Sequence, residues 1–518
     1  MRNEKSLPIT LPRKFRRRPD AKFNTLTCLL LLSSFVMFGC EKVEPNKQAT
    51  AAASPATANN GKIPITTSSE EARKEFIAGR DLAEKLRATD SIAHFDKAIS
   101  LDPDFAMAHF GRAGASPVAK EFFDHLNKAV SLAPKVSDGE RMQIEAAEAG
   151  ANANPTKQKE ILEKLVAAYP NDERAHFTLG NYYFGQQEFS QAITHYKKAT
   201  EIAPDYSTAF NILGYAYRQN EAYSDAENAF KKYIELIPND PNPYDSYAEL
   251  LLKTGRFDEA ITQYNKALSI EPNFVNSHFG IAAALAYQGK ANEAQAELEK
   301  ITSKARNDGE RRTALFGQMV VAADGGKLDQ ALAAAEKQYA LGQQTSDLPS
   351  MAGDLQSKGN ILLEMGKFDE AQKAYEQALK TTNDSSMPQE AKDNAARFHH
   401  YNLARVAIEK KDLATAKSET ETFRKDAESS KNPNQVKLAH ELAGRIALAE
   451  KNYDTAITEL AEGNQQNPEV FYLLGLAYQG KGDEAKAKES FTKAAKFNSL
   501  PQLNYAFVRS KATKAMET

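Results

Sequence analysis

Along most of this chain apolar side chains recur at helical rather than strand spacing. Between Glu173 and Tyr206, the residues His176, Leu179, Gly180 and Tyr183 fall at i, i+3, i+4 and i+7, on one face of a helix. A second set follows: Ala192, Tyr196 and Ala199, small where two helices cross and large where the gap must be filled. Pro204 ends that helix, because it lacks a backbone donor and its ring clashes with the preceding turn. The pattern then returns at steps of 34 residues. Leu179-Gly180 becomes Leu213-Gly214, Tyr247-Ala248 and Ile281-Ala282; Ala192 becomes Ala226, Ala260 and Ala294; Pro204 becomes Pro238 and Pro272. A helix-turn-helix unit of this length buries its apolar face only against a neighbour, so such units stack around a continuous core. No run of alternating β-branched residues is long enough to predict a strand.

The small residue of the second helix keeps its phase further on, at Ala331, Ala371, Ala416, Ala456 and Ala487, with steps of 37, 40, 45, 40 and 31 residues. Upstream, Phe95 to Pro103 and Leu126 to Pro134 read as second helices of degenerate units. This predicts ten or eleven helix pairs between about Ser69 and Asn498, then a capping helix over Leu500 to Met516. The residues resemble the tetratricopeptide repeat, aromatic-x2-Leu-Gly-x2-Tyr followed by Ala-x3-aromatic-x2-Ala-x4-Pro, across four units from Glu173 to about Ile301. Phe, Tyr and His stand where that family often carries Trp. The resemblance implies an all-α, right-handed superhelical solenoid of stacked helix-turn-helix repeats. Its expected division is degenerate repeats over 69–172, four well-matched units over 173–305, divergent units over 306–498, and a capping helix and tail over 499–518.

Residues 1–24 hold eight basic and two acidic side chains, and an apolar run of about 14 residues follows, from Leu26 to Gly39. This is the order of a secretory signal, and the run is shorter than the roughly 20 residues a spanning helix needs. Gly39-Cys40 resembles the end of a bacterial lipoprotein signal, although Met37 and Phe38 depart from the usual Leu and small residue. That resemblance implies a signal peptide over 1–39 and a lipidated Cys40 as the new terminus. Cys28 leaves with the leader, so lipidation consumes the one remaining thiol, a liability in an oxidising compartment. Residues 40–68 are rich in Ala, Thr, Asn, Pro and Ser and predict a disordered tether. As a random coil it spaces the array roughly 30 Å from a bilayer. The expected location is the cell envelope, lipid-anchored, with the array in the periplasm.

The formal net charge is −3, of which the leader supplies +6, leaving the rest near −9. An acidic chain argues against nucleic acid, whose partners present a dense basic face. No phosphate-cradling glycine loop, His-Glu-x-x-His, paired-Cys or Gly-x-Ser-x-Gly motif occurs, so the sequence predicts no catalytic residues, metal or cofactor. His399 and His400 are adjacent and point apart on a helix, while His109, His176 and His278 take the aromatic position four of their units as packing residues.

Binding is the remaining chemistry. In tetratricopeptide repeats the first helices line a concave surface, with positions 2, 5, 9 and 12 toward the ligand. Carried onto this chain, the resemblance implies a groove of Phe177, Asn181 and Phe184, then Asn211, Tyr215 and Arg218, then Asp245 and Glu249, then Asn276 and Phe279. Aromatics interleaved with amides and charges suit a protein or peptide ligand. Position six holds Thr178, Ile212, Ser246 and Gly280, so an asparagine ladder is absent. A glycan or small molecule stacked on the aromatics is the alternative reading.

Overall fold

A computed structural model of the chain describes residues 61–517, apart from 86, 117, 118, 153, 306, 307, 386, 388, 431, 500 and 501. The leader 1–39, Cys40 and the tether as far as residue 60 lie outside the described residues. The described residues form an all-α solenoid of twelve consecutive helix pairs and two short terminal helices. The first six pairs are α1 (Glu70–Glu84) and α2 (Ala88–Leu101), α3 (Ala106–Gly114) and α4 (Ala119–Leu132), α5 (Asp138–Ala151) and α6 (Pro155–Ala168), α7 (Glu173–Gly185) and α8 (Phe189–Ile202), α9 (Ser207–Gln219) and α10 (Tyr223–Leu236), α11 (Asn242–Lys253) and α12 (Phe257–Ile270). The next six are α13 (Val275–Tyr287) and α14 (Ala291–Lys304), α15 (Asp308–Asp324) and α16 (Leu328–Thr345), α17 (Leu348–Glu364) and α18 (Phe368–Asp384), α19 (Gln389–Glu409) and α20 (Leu413–Ser429), α21 (Pro433–Ala449) and α22 (Tyr453–Ala461), α23 (Pro468–Lys481) and α24 (Glu484–Ala495). Helices α25 (Leu503–Ala506) and α26 (Val508–Glu517) close the chain.

Twelve pairs exceed the ten or eleven that spacing predicts. The pair α5/α6 escaped the pattern because its second helix buries Ile161, Leu162 and Leu165 in place of the Ala-x3-aromatic-x2-Ala set. Elsewhere the pattern is exact in register. Nine successive pairs turn on a residue of positive φ: Gln187, Glu221, Gly255, Gly289, Gly326, Gly366, Lys411, Lys451 and Gly482. Each stands five residues before the small alanine of its second helix, and those alanines are between 0% and 4% exposed. A left-handed residue costs least as glycine, and five of the nine are glycine.

Small and large residues interlock across each pair. Gly180 faces the ring of Tyr196, Gly214 that of Phe230, Gly359 that of Tyr375 and Gly475 that of Phe491. A Cβ on Gly180 would lie 2.6 Å from Tyr196 Cε1, so the glycine is what permits the approach.

Position four does more than pack. The Nε2–H groups of His109, His176 and His278 donate to the carbonyls of Pro103, Pro170 and Pro272 at 3.1, 3.1 and 3.2 Å. Tyr244, at the same position, donates to Pro238 at 3.0 Å. Their other ring nitrogens, with those of His400 and His440, meet His125, His195, Glu297, Glu419 and Glu459 on the second helices. His399 points elsewhere, its Nδ1 buried without a partner.

Residues 61–68 correct the tether boundary. They run extended over the first repeats instead of hanging free, because acidic residues at the helix ends capture their backbone. Ile63, Thr66 and Ser68 donate N–H bonds to Asp172, Glu140 and Asp102 at 2.9, 2.7 and 2.9 Å, and Lys62 pairs with Glu173. Ile63 lodges over Gly139 beside Tyr169.

Distant repeats also touch. Glu84 at the end of α1 pairs with Arg174 at 2.7 Å and accepts at its carbonyl from Thr208. Lys437 of α21 reaches Gln187 in the turn of the fourth pair at 2.7 Å. At the other end, Val508 and Ala512 of α26 pack on Ala494 and Ala495 of α24, as a cap must. Leu503, Ala506 and Phe507 enter the buried cluster that α10 to α13 and α15 to α17 build. The expected single capping helix is thus broken at Phe507 and serves two surfaces.

The interlock is testable. Gly180→Ala is expected to destabilise the protein by about 1–3 kcal/mol through overpacking. Gly185→Ala, where an added methyl meets nothing within 4 Å, should be neutral or stabilising by up to about 1 kcal/mol. Urea denaturation of both variants separates the two.

Candidate partner-binding groove

The first helices α7, α9, α11 and α13 form one wall and carry all ten groove residues implied by the sequence. On α7, the Phe177 ring packs 5.6 Å from Tyr196 and 5.3 Å from Tyr206 of the next repeat. Phe184 meets Phe189 edge-on at 5.5 Å. Asn181 is exposed, and its Oδ1 accepts from the Tyr196 hydroxyl at 2.7 Å. On α13, Asn276 is half-buried and Phe279 lies 6.4 Å from Phe316 of the following repeat.

The central residues are brought together more tightly. Tyr215 donates to Ser246 at 3.2 Å, Arg218 pairs with Glu249 at 2.9 Å, and Ser277 donates to Asp245 at 2.6 Å. Each bond joins one repeat to the next, so these polar groups staple the wall. The Arg218 guanidinium also lies 4.7 Å over the Tyr215 ring. Burial pushes the Asp245 carboxyl well above the usual range, and Glu249 adds to the shift. Lys253, on the last turn of α11, is lowered to about 7 by burial and then by the charge of Arg218. Asn211 is fully buried, and neither atom of its amide has a hydrogen-bond partner. Tyr215, Arg218, Asp245 and Glu249 therefore bond to neighbouring repeats and Asn211 is sealed, while Asn181 is exposed and Phe177, Phe184, Asn276 and Phe279 are half-buried.

A second polar stretch on α17, α19, α21 and α23 escaped the sequence reading. Arg405 donates to Asn360 Oδ1 at 2.9 Å, which also accepts from Tyr375 at 2.9 Å. Arg445 pairs with Glu469 at 2.6 Å. Burial opposes ionisation of Glu469, but Arg445 and Arg405 hold it at about 2. Glu441, fully buried, is pushed up to about 7 by burial, against the pull of Arg445. Counting back from Ala416 and Ala456 places Tyr401 and Arg405, and Glu441 and Arg445, at positions 5 and 9 of their units. Polar groups at these two positions are therefore legible in the divergent units as well as in the well-matched ones.

Among the described residues, no group of three or more His, Cys, Asp or Glu is placed to hold a metal ion, and no helix is long and apolar enough to cross a membrane.

Family models agree with the repeat reading. Tetratricopeptide repeat models match residues 159–207, 177–241 and 468–499, a TPR repeat model matches 248–289, and a tetratricopeptide repeat-like domain matches 275–392. No curated protein matches the chain in sequence. Among solved structures, it is similar to a tetratricopeptide repeat protein from Parabacteroides merdae ATCC 43184, with 15% identity, 50% of this chain and 97% of that one covered, and a TM-score of 0.37. It is also similar to MamA, with 25% identity, coverage of 31% and 97%, and a TM-score of 0.29. A third is YrrB, titled a TPR protein with an unusual peptide-binding site, with 20% identity, coverage of 35% and 93%, and a TM-score of 0.26.

Glu441 sets a pH dependence. The folded chain keeps a proton that the unfolded chain releases near 4.5, so stability falls as pH rises from about 4.5 to about 7 and is level above. Glu441→Gln should raise stability by on the order of 2 kcal/mol at pH 8 and converge on the unmodified protein below pH ~5. Thermal unfolding across that range reads the crossover.

Proposed function

We propose that this chain, a tetratricopeptide-repeat protein, is a lipid-anchored scaffold of the bacterial cell envelope that holds another protein along its concave wall. The repeat array carries the reading: stacked helix pairs produce a long curved surface whose side chains are set at fixed intervals. A basic leader, an apolar run and Gly39-Cys40 support export and acylation, which would hold the array to a membrane surface. The acidic remainder favours a protein or peptide partner over nucleic acid.

It acts by binding and not by catalysis. The buried ionisable groups of the wall are engaged with adjacent repeats, as Arg218–Glu249 and Arg445–Glu469 illustrate. Contact with a partner falls to Phe177, Asn181, Phe184, Asn276 and Phe279, which supply ring area and amides without loosening the staples.

Two measurements test this. Intact mass of membrane-extracted protein should show an acylated Cys40 terminus, and Cys40→Ala should abolish that mass and release the protein from membranes. A photo-crosslinking residue at 181 or 184 should capture a protein in the intact envelope. Capture only from convex positions, with none from the wall, would remove the groove reading; an unprocessed terminus at Met1 would remove the anchor.

A further inference from the structure

The same position of four successive repeats contacts the chain's own C-terminal segment. Lys253, Tyr287, Asp324 and Glu364 each stand two residues before the left-handed turn residue of their pair. Lys253 donates to the Phe497 carbonyl at 2.7 Å and lies against its ring. Tyr287 sits under the Arg509 guanidinium at 4.4 Å. Asp324 takes Arg509 in a two-pronged pair, with Nε at 3.1 Å, and Arg509 also reaches the Ala286 carbonyl at 3.2 Å. Glu364 pairs with Lys511. Between these contacts Leu503, Ala506 and Phe507 join the large buried apolar cluster, against α15.

The seat is specific in charge and shape. Asp324 is nearly inaccessible and Glu364 largely so, and each meets a cation of the segment, which from 496 to 517 holds four basic residues and one acidic. Val508 and Ala512 of α26 rest on α24, and Arg509 and Lys511 flank that face on its two sides. The segment is ligand-like in order: apolar anchors at Leu503, Ala506 and Phe507, then the cations Arg509 and Lys511.

We propose that residues 497–499 and 502–517 are the resident occupant of the groove stretch on α11, α13, α15 and α17, and that a protein partner bearing a short basic amphipathic helix binds there by exchange with them. This rests on the concave-wall reading and adds to it the partner's chemistry and a built-in competitor. In the closed state Asp324 and Glu364 are matched by the chain's own cations, so only a helix supplying equivalent cations replaces them without leaving a buried charge alone.

The test uses the full chain carrying Arg509→Glu and Lys511→Glu, with a labelled synthetic peptide of residues 497–517 as probe. Hydrogen exchange should show α25 and α26 losing protection while α11 to α18 keep theirs. The altered chain should then bind the peptide about tenfold or more tighter than the unmodified chain does. A peptide with the same two reversals should bind neither. Retained protection of α25 and α26 with no peptide binding would overturn the proposal and make the segment a fixed part of the core. Should the double variant unfold its repeats, adding Asp324→Arg and Glu364→Lys must restore protection and exclude the unmodified peptide; failure to restore it also overturns the exchange. Peptide exchange without envelope crosslinks at 181 or 184 would sink the wider wall reading and leave this one standing.

Discussion

Everything in this solenoid depends on how closely the two helices of a pair approach. That distance is set by a small residue on the first helix against a large one on the second, 16 positions later. Gly180 meets Tyr196, Gly214 meets Phe230, Gly359 meets Tyr375, Gly444 meets Leu460 and Gly475 meets Phe491. In the eighth pair the sizes are exchanged: Met319 stands where the glycine would be and Ala335 where the ring would be, and both are buried in one cluster. Interior packing constrains the summed volume more than the identity of either member. Close approach in turn brings the first helices of successive pairs near enough for their concave side chains to bond.

Those bonds explain why a wall rich in polar residues is stable. Ser277 on Asp245, Tyr215 on Ser246 and Arg405 on Asn360 each cross a repeat boundary. A buried polar group costs free energy unless it is paired, and a repeat protein offers a partner at a fixed place on the next unit. The position-four residue does the same along the chain, since the turn between units leaves a proline carbonyl within reach of its ring. In His278 the two ring nitrogens meet Pro272 and Glu297; in His176 they meet Pro170 and His195. One structural position thus bonds to either a carboxylate or a second imidazole on the second helix.

Closure of the array on itself follows from curvature and not from any local signal. Lys437 and Gln187 lie seven pairs apart, and the α1 terminus reaches the fourth and fifth pairs. The C-terminal segment folds back on the array, where Leu503 and Phe507 join the largest of the buried clusters among the described residues.

The sequence by itself determined the all-α class, the phase of the repeats and the register of every second-helix alanine from Ala192 to Ala487, because a stacked unit repeats its packing constraint at each step. It also named the wall that α7 to α13 present. The pair α5/α6 was illegible, since Ile161, Leu162 and Leu165 fill the crossing without the small-residue mark. Only the tertiary structure decided which wall residues remain open. Phe177 keeps part of its surface while Asn211, 34 residues later at the same position five, is sealed, and no period of 34 distinguishes them. Only the tertiary structure, too, placed residues 61–68 on Asp102, Glu140 and Asp172 and the C-terminal segment on Asp324 and Glu364. Periodicity reports what a residue does to its neighbouring unit. Contacts between units far apart in the chain depend on the accumulated curvature of the whole stack, which no single repeat contains.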